Sequence, residues 1–159
     1  MSKPLILVTN DDGISAPGIR KLIQLMQQLG DVVVVAPDGP QSAMSHAITI
    51  KYPLVYQEIT ISDSYKEYSL NGTPVDCIKF GLHRLLERKP DLIVSGINHG
   101  SNASINIIYS GTMGAALEGA MGGIPSIGFS ILDYSHNADF SRSESHILRI
   151  AKQVMEKGL

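Results

Sequence analysis

The sequence holds a single cysteine, Cys77, which leaves no partner for an intrachain disulfide and no set of thiolates for a metal cluster. Positive charge is also in short supply. Against 15 Asp and Glu stand 13 Lys and Arg, giving a formal net charge of −2 and a pI near 6.2. No basic field therefore exists to draw nucleic acid or an anionic membrane surface. An anionic substrate would need a local device, such as a cation or a helix N-terminus. Long apolar runs are missing as well. In the opening stretch MSKPLILVTNDDG a short apolar run meets two aspartates, whereas a secretory signal needs a longer stretch and a small-residue cleavage site. No run approaches the ~20 residues of a membrane span. The expectation is a cytoplasmic protein with no membrane partner and no nucleic-acid surface.

What is present suits one domain over residues 1–159. A chain of this length buries ~68–70% of its unfolded surface, although the 43% apolar content sits just below the ~45–50% of soluble domains. Leu5 to Thr9 is a continuous apolar run, the mark of a strand covered on both faces. Asn10-Asp11-Asp12-Gly13 ends it. Ser15 and Pro17 then signal a helix carrying Ile19, Leu22, Ile23 and Leu25. A second buried strand runs from Val32 to Ala36. Strand, helix and strand in about thirty residues form a βαβ unit with parallel pairing.

From Ala47 to Leu70 the residues favour strands broken at Pro53 and Asp63-Ser64, which predicts an antiparallel hairpin excursion. A helix is predicted over Pro74–Glu87 and a third central strand over Asp91–Val94. Ser95 to Ser110 reads as a long Gly/Asn/Ser-rich loop, a length usually functional or disordered. A small-residue helix around Gly114–Ala120, a fourth strand over Ile124–Ile131 and a last helix over Ser141–Glu156 complete the pattern. The alternation predicts an α/β fold, a doubly wound, mostly parallel Rossmann-like sheet with a β-hairpin excursion.

In such sheets ligands sit beyond the carboxyl ends of the strands. Three strands deliver polar clusters there: Asn10-Asp11-Asp12, then Gln41-Ser42, then Asn98. Hard oxygen donors of this kind suit magnesium, manganese or calcium better than zinc or copper. Neighbouring residues of a strand face opposite ways, so Asp11 and Asp12 share an ion only if the chain turns, which Gly13 eases. Two close carboxylates also raise each other's pKa unless a cation lies between them. The same residues equally suit a tight turn at Asp12-Gly13 and a helix cap at Asp11.

A second device is Tyr109-Ser110-Gly111-Thr112, which leads into the small-residue helix. Gly111 admits close backbone approach to an anion at the helix N-terminus, and Ser110 and Thr112 add hydroxyl donors. Simple capping by Ser110 or Thr112 is the plainer alternative, although neither has Glu or Gln three positions on to make a capping box. Asn71-Gly72-Thr73-Pro74 precedes another helix, with Pro74 in its first turn, and reads first as a turn and cap. His46 is a candidate donor to a phosphate oxygen or a leaving alkoxide, against the commoner fate of a solvated loop histidine. His99 follows Asn98 toward the same mouth. His83, His136 and His146 are assigned structural roles.

Taken together, ILVTNDDGISAPGI, VVVVAPDGPQSAMSHAITI, NGTPVDCIKFGL, PDLIVSGINHGSN, YSGTMGAALEG and GIPSIGFS resemble the SurE family of stationary-phase survival proteins, which are metal-dependent 5′-nucleotidases and phosphatases. The segments run in the family's order from Leu5 to about Ser130. The resemblance implies one divalent cation, magnesium or manganese, held by Asp11, Asp12, Ser42 and Asn98, with Asp11 and Asp12 catalytic. It also implies phosphate or nucleotide near Asn71, Ser110, Gly111 and Thr112. Nucleoside 5′- and 3′-monophosphates are the implied substrates, with polyphosphate for some members, and the implied assembly is a homodimer or tetramer. Two departures stand out. Ser104 occupies a loop in which the family tends to repeat glycine, and members usually continue well past Leu159, so the family's C-terminal part is expected to be absent.

Other classes fit less well. An aspartyl-phosphate phosphatase usually separates its two aspartates by one residue, and here they are adjacent. A non-catalytic phosphate-binding module of the receiver kind needs a lysine after a late strand, where this chain has Ile131-Leu132-Asp133. A dinucleotide binder needs G-x-G-x-x-G, which NDDGISAPG does not supply.

Overall fold

The computed structural model describes residues 3–135 and 137–158; His136, assigned a structural role from sequence, lies outside them. Strand β1 (Leu5–Thr9) leads to α1 (Pro17–Met26) and β2 (Asp31–Pro37). The excursion forms β3 (Tyr56–Ile61) and β4 (Tyr65–Leu70), followed by α2 (Pro74–Phe80). Strand β5 (Leu92–His99), the short α3 (Asn106–Tyr109), α4 (Gly111–Met121), β6 (Ser126–Ile131) and α5 (Ser141–Lys157) complete the chain. One sheet takes all of these strands in the order β3-β4-β2-β1-β5-β6. Every pairing is parallel except β3 with β4.

Strand periodicity explains the layering, since successive side chains point to opposite faces. Ile6 and Val8 join Val32, Val34, Leu92 and Val94 beneath α1 and α5. Leu7 joins Val33, Val35 and Ile93 beneath α2 and α4. Leu7, Ile6, Val8 and Ile93 are fully buried, each contributing about 1.5–3 kcal/mol by leaving water. Because β2 and β4 lie to one side of β1 while β5 and β6 lie to the other, the order reverses between β1 and β5. This is the position where open α/β sheets hold ligands.

Two sequence expectations need correction. The helix predicted over Pro74–Glu87 is two elements, because after Phe80 the chain widens into a π-helical turn at Gly81–Leu85 and leaves helix at Leu86. The turn and cap read at Asn71-Gly72-Thr73-Pro74 is present as a capping box at the start of α2. There the Thr73 hydroxyl accepts from Asp76 N at 3.1 Å, and Thr73 N donates to Asp76 Oδ2 at 2.9 Å. The third central strand does not end at Val94; β5 continues to His99. Its register with β6 slips between Ser95 and Asn98, a bulge that bends the strand and re-aims its end.

Glycine is required in that bulge. Gly96 has φ +132°, and a Cβ there would lie 2.3 Å from the Phe129 carbonyl oxygen. From the opposite layer α1 presses on the same place, since a Cβ on Gly18 would lie 2.1 Å from the Ile97 carbonyl oxygen. Among the described residues no helix is long and apolar enough to cross a membrane.

Candidate active site

The carboxyl ends of β1 and β5 meet the N-terminus of α4. Asp11, directly after β1, is buried at 7% exposure. Its Oδ1 accepts from the Thr112 hydroxyl at 2.6 Å. Gly111 is what lets the helix come so close, because a Cβ there would lie 3.0 Å from the Asp11 Cβ. Ser110 caps α4 by accepting from Met113 N at 3.1 Å, so both the plainer capping role and the contact with the acidic turn are realised.

Burial pushes the Asp11 carboxyl above its ordinary pKa, with the Thr112 hydroxyl bond acting in the other direction. Asp12 is half-buried and is also raised, first by burial and then by the charge of Asp11; His99 pulls it down. His99 itself is seated by Nδ1, 2.9 Å from the Asp133 carbonyl oxygen, and by an edge contact with Phe140. Two carboxylates drawn into a low-dielectric turn against each other form a place that a cation would relieve.

The second loop is fastened to this turn through backbone. Gln41 N donates to the Asp11 carbonyl at 2.7 Å, and Ile14 N to the Pro37 carbonyl at 2.8 Å. Gly13, at φ +96°, sits against Gly39, where a Cβ would meet the Gly39 carbonyl carbon at 3.1 Å. Ser42 follows on the exposed part of the loop. Asn98, past the β5 bulge, is half-buried, and its Nδ2 donates to the Gly100 carbonyl at 3.3 Å.

The structure separates two other candidates from this group. Both ends of the Asn71 amide are engaged by the stretch before β3, with Oδ1 accepting from Val55 N at 2.7 Å and Nδ2 donating to the Pro53 carbonyl at 3.2 Å. His46 lies along the flank of α4, with Nε2 2.9 Å from Glu118 Oε2. Lys79 takes the other oxygen of the same carboxylate at 3.0 Å. Neither side chain is aimed at the acidic turn by these contacts.

Asn10 is a residue that sequence reasoning left out of the ligand set. It is buried at 1% exposure. Its Nδ2 donates to the Gly13 carbonyl at 2.9 Å, while its Oδ1 is buried without a hydrogen-bond partner. A buried acceptor without a donor costs about 1–3 kcal/mol. The signal was its place in the Asn10-Asp11-Asp12 string. Among the described residues no three of His, Cys, Asp and Glu come together as a metal cluster. A cation here would therefore draw on hydroxyl and amide oxygens beside the two carboxylates. This hard-oxygen donor set, with burial-strained carboxylates and an orphaned amide oxygen, fits a hard divalent cation.

Fold and site together define a doubly wound α/β protein with an acidic turn and a helix N-terminus at its switch point. The family described as "Survival protein SurE" matches residues 6–159. This chain belongs to the SurE family. It is 63% identical over 159 residues to a 5′-nucleotidase SurE of Christiangramia forsetii, covering 99% of this chain and 61% of that protein. A 5′-nucleotidase SurE of Flavobacterium psychrophilum is 62% identical over 160 residues, covering 100% of this chain and 62% of that protein. The crystal structure of the SurE protein from Aquifex aeolicus superposes with a TM-score of 0.87 at 41% identity, over 98% of this chain and 62% of that one. The chain thus spans 61–62% of the length of these relatives.

Proposed function

We propose that this chain carries the catalytic α/β part of a divalent-metal-dependent phosphomonoester hydrolase, a 5′-nucleotidase acting on nucleoside monophosphates. The observation that carries the reading is the Thr112–Asp11 hydrogen bond of 2.6 Å, which fixes an acidic turn against a helix N-terminus at the sheet's switch point. The relatives' name, 5′-nucleotidase, agrees with what such a juxtaposition can do. Activity on 3′-monophosphates and polyphosphate, a homodimeric or tetrameric assembly and a cytoplasmic location belong to the same proposal.

Asp11, Asp12, Ser42 and Asn98 would hold the cation, a hard divalent ion on the chemistry of those donors, with magnesium or manganese the choice that the family resemblance implies. When bound, a divalent cation neutralises charge on the phosphoryl group and makes water a competent nucleophile near neutral pH. Thr112 keeps Asp11 in one orientation. Asp12, the more exposed of the two carboxylates, orients the attacking water and receives its proton. The first turn of α4 presents Ser110, Gly111 and Thr112, whose end carries partial positive charge that favours the phosphate oxygens. Water adds to phosphorus as its proton passes to Asp12, the bond from phosphorus to the sugar oxygen breaks, that oxygen takes a proton from solvent, and nucleoside and inorganic phosphate leave.

The test is phosphate release from adenosine 5′-monophosphate with manganese or magnesium, repeated with a chelator. Release that the chelator abolishes is the expected result. Binding of the nucleotide with no release in any condition would point instead to a non-catalytic phosphate-binding module.

A further inference from the structure

Along the flank of α4 runs a cavity of about 510 Å³ whose walls, Ser110 apart, the proposed chemistry does not use. One side is Met113, Gly114 and Leu117 of α4; the facing side is Ile107 and Ile108 of α3, and His46 lies on its border. Ser110 belongs both to this lining and to the N-terminal turn beside Asp11. The groove therefore opens within one residue of the place where phosphate would be held.

Its chemistry is apolar by construction. Ile108 and Leu117 are 60% and 52% exposed, a cost to the isolated fold that an apolar ligand would remove. The hydroxyls that reach the groove are already spent on backbone. Ser45 Oγ donates to the Ile108 carbonyl at 2.6 Å, Ser126 Oγ to the Ile124 carbonyl at 2.9 Å, and Ser110 Oγ accepts from Met113 N. What remains is branched aliphatic surface, a polarizable thioether and an imidazole whose Nε2 lies 2.9 Å from Glu118 Oε2. Those groups suit a flat heteroaromatic ring held by contact and stacking rather than by hydrogen bonds to its edge.

We propose that this groove is the base subsite: the heteroaromatic base of a nucleoside monophosphate lies against Ile108, Met113 and Leu117 while its phosphate sits at Ser110–Thr112. The Ser45 bonds to α3, from Oγ to the Ile108 carbonyl and from N to the Tyr109 carbonyl at 3.2 Å, fasten the Ser45–His46 loop to the α3 wall. His46 accordingly acts on the nucleoside end of the substrate, not on its phosphate. This rests on the nucleotidase reading for the choice of ligand, and its test reads binding directly, so that the two can fail separately.

The measurement is methyl NMR of the whole chain with labelled methionine and isoleucine, titrated in magnesium with adenosine 5′-monophosphate, adenosine or ribose 5-phosphate. Adenosine and its monophosphate should move the Met113 and Ile108 methyl signals, and ribose 5-phosphate should not. In L117K, which places a charge in the groove, the ratio of the ribose 5-phosphate dissociation constant to that of the monophosphate should fall about tenfold, the equivalent of one lost apolar contact. I108A supplies the same comparison if L117K does not fold. Methyl shifts without phosphate release would remove hydrolysis and leave the subsite standing. Nucleotide binding that leaves both methyls unmoved, or an unchanged ratio in a folded variant, overturns the proposal.

Discussion

The centre of the sheet and its two margins are built differently. In β1, β2 and β5 nearly every residue is buried, from Ile6 through Thr9, Val32 through Pro37 and Leu92 through Ile97. At one margin β3 is exposed at every position from Tyr56 to Ile61. At the other, β6 buries only Phe129 between Ser126 and Ile131. The acidic turn rises from the central strands, so displacing it means displacing a close-packed core, which resists strain. The margins supply neither carboxylate. The geometry of the proposed site is set where the protein is hardest to deform.

Breaking the centre should have the largest effect. Leu7→Ala removes a fully buried side chain and should cost about 2–5 kcal/mol in denaturant unfolding. Ile59→Ala, at a half-exposed site on β3, should stay within about 0.5 kcal/mol; equal losses would erase the contrast. Asp12→Ala should keep its fold and lose about 10²–10³ in the rate of phosphate release, the scale of one electrostatic contact to the reacting group. Full activity in that variant, insensitive to chelator, would sink the mechanism. Thr112→Val leaves both carboxylates but frees Asp11, and should weaken metal affinity about 10–100-fold by calorimetry.

The smallest effect is at the bottom of the sheet. Asp91 Oδ2 accepts from Leu5 N at 2.7 Å and from Arg88 Nη1 at 2.9 Å, and these bonds, the Leu5 bond first, hold its carboxyl below the ordinary value. A depressed pKa stabilises above the unfolded value of about 3.9 and ceases to do so as pH falls through the folded value. Asp91→Asn should therefore lower the melting temperature slightly at pH 7. The gap to the unsubstituted chain should close in acid, below the folded pKa.

How much of this could be read in advance depended on whether a signal was local. Strand β1 was legible because a continuous apolar run stops at Asn10-Asp11, and the structure ends it at Thr9. The hairpin was legible as a pattern, although regular pairing begins only at Tyr56. The end of β5 was not. Ser95-Gly96-Ile97-Asn98 reads as loop by composition, yet Ile97 is buried at 1% exposure, and Asn98 and His99 pair with Ser130 and Ile131. Partners distant in sequence decide such a strand.

The same division holds in the site. Asp11, Asp12 and Asn98 were legible as oxygen donors at strand ends. That Thr112 would reach Asp11 across 101 positions had no trace in either local string. The commitment of Asn71 to Pro53 and Val55 and of His46 to Glu118 was equally invisible. Each depends on how loops fold back, which periodicity does not report.

The contact between Gly18 and the Ile97 carbonyl makes the first helix a spacer for the far loop. A methyl group added at that position has no room, so either α1 lifts or the kinked end of the fifth strand swings outward, carrying Asn98 with it. Damage at a buried glycine that carries no side chain would then surface as a poorly formed seat for the proposed cation, and a survey of inactive variants would rank a small helix residue alongside the acids themselves.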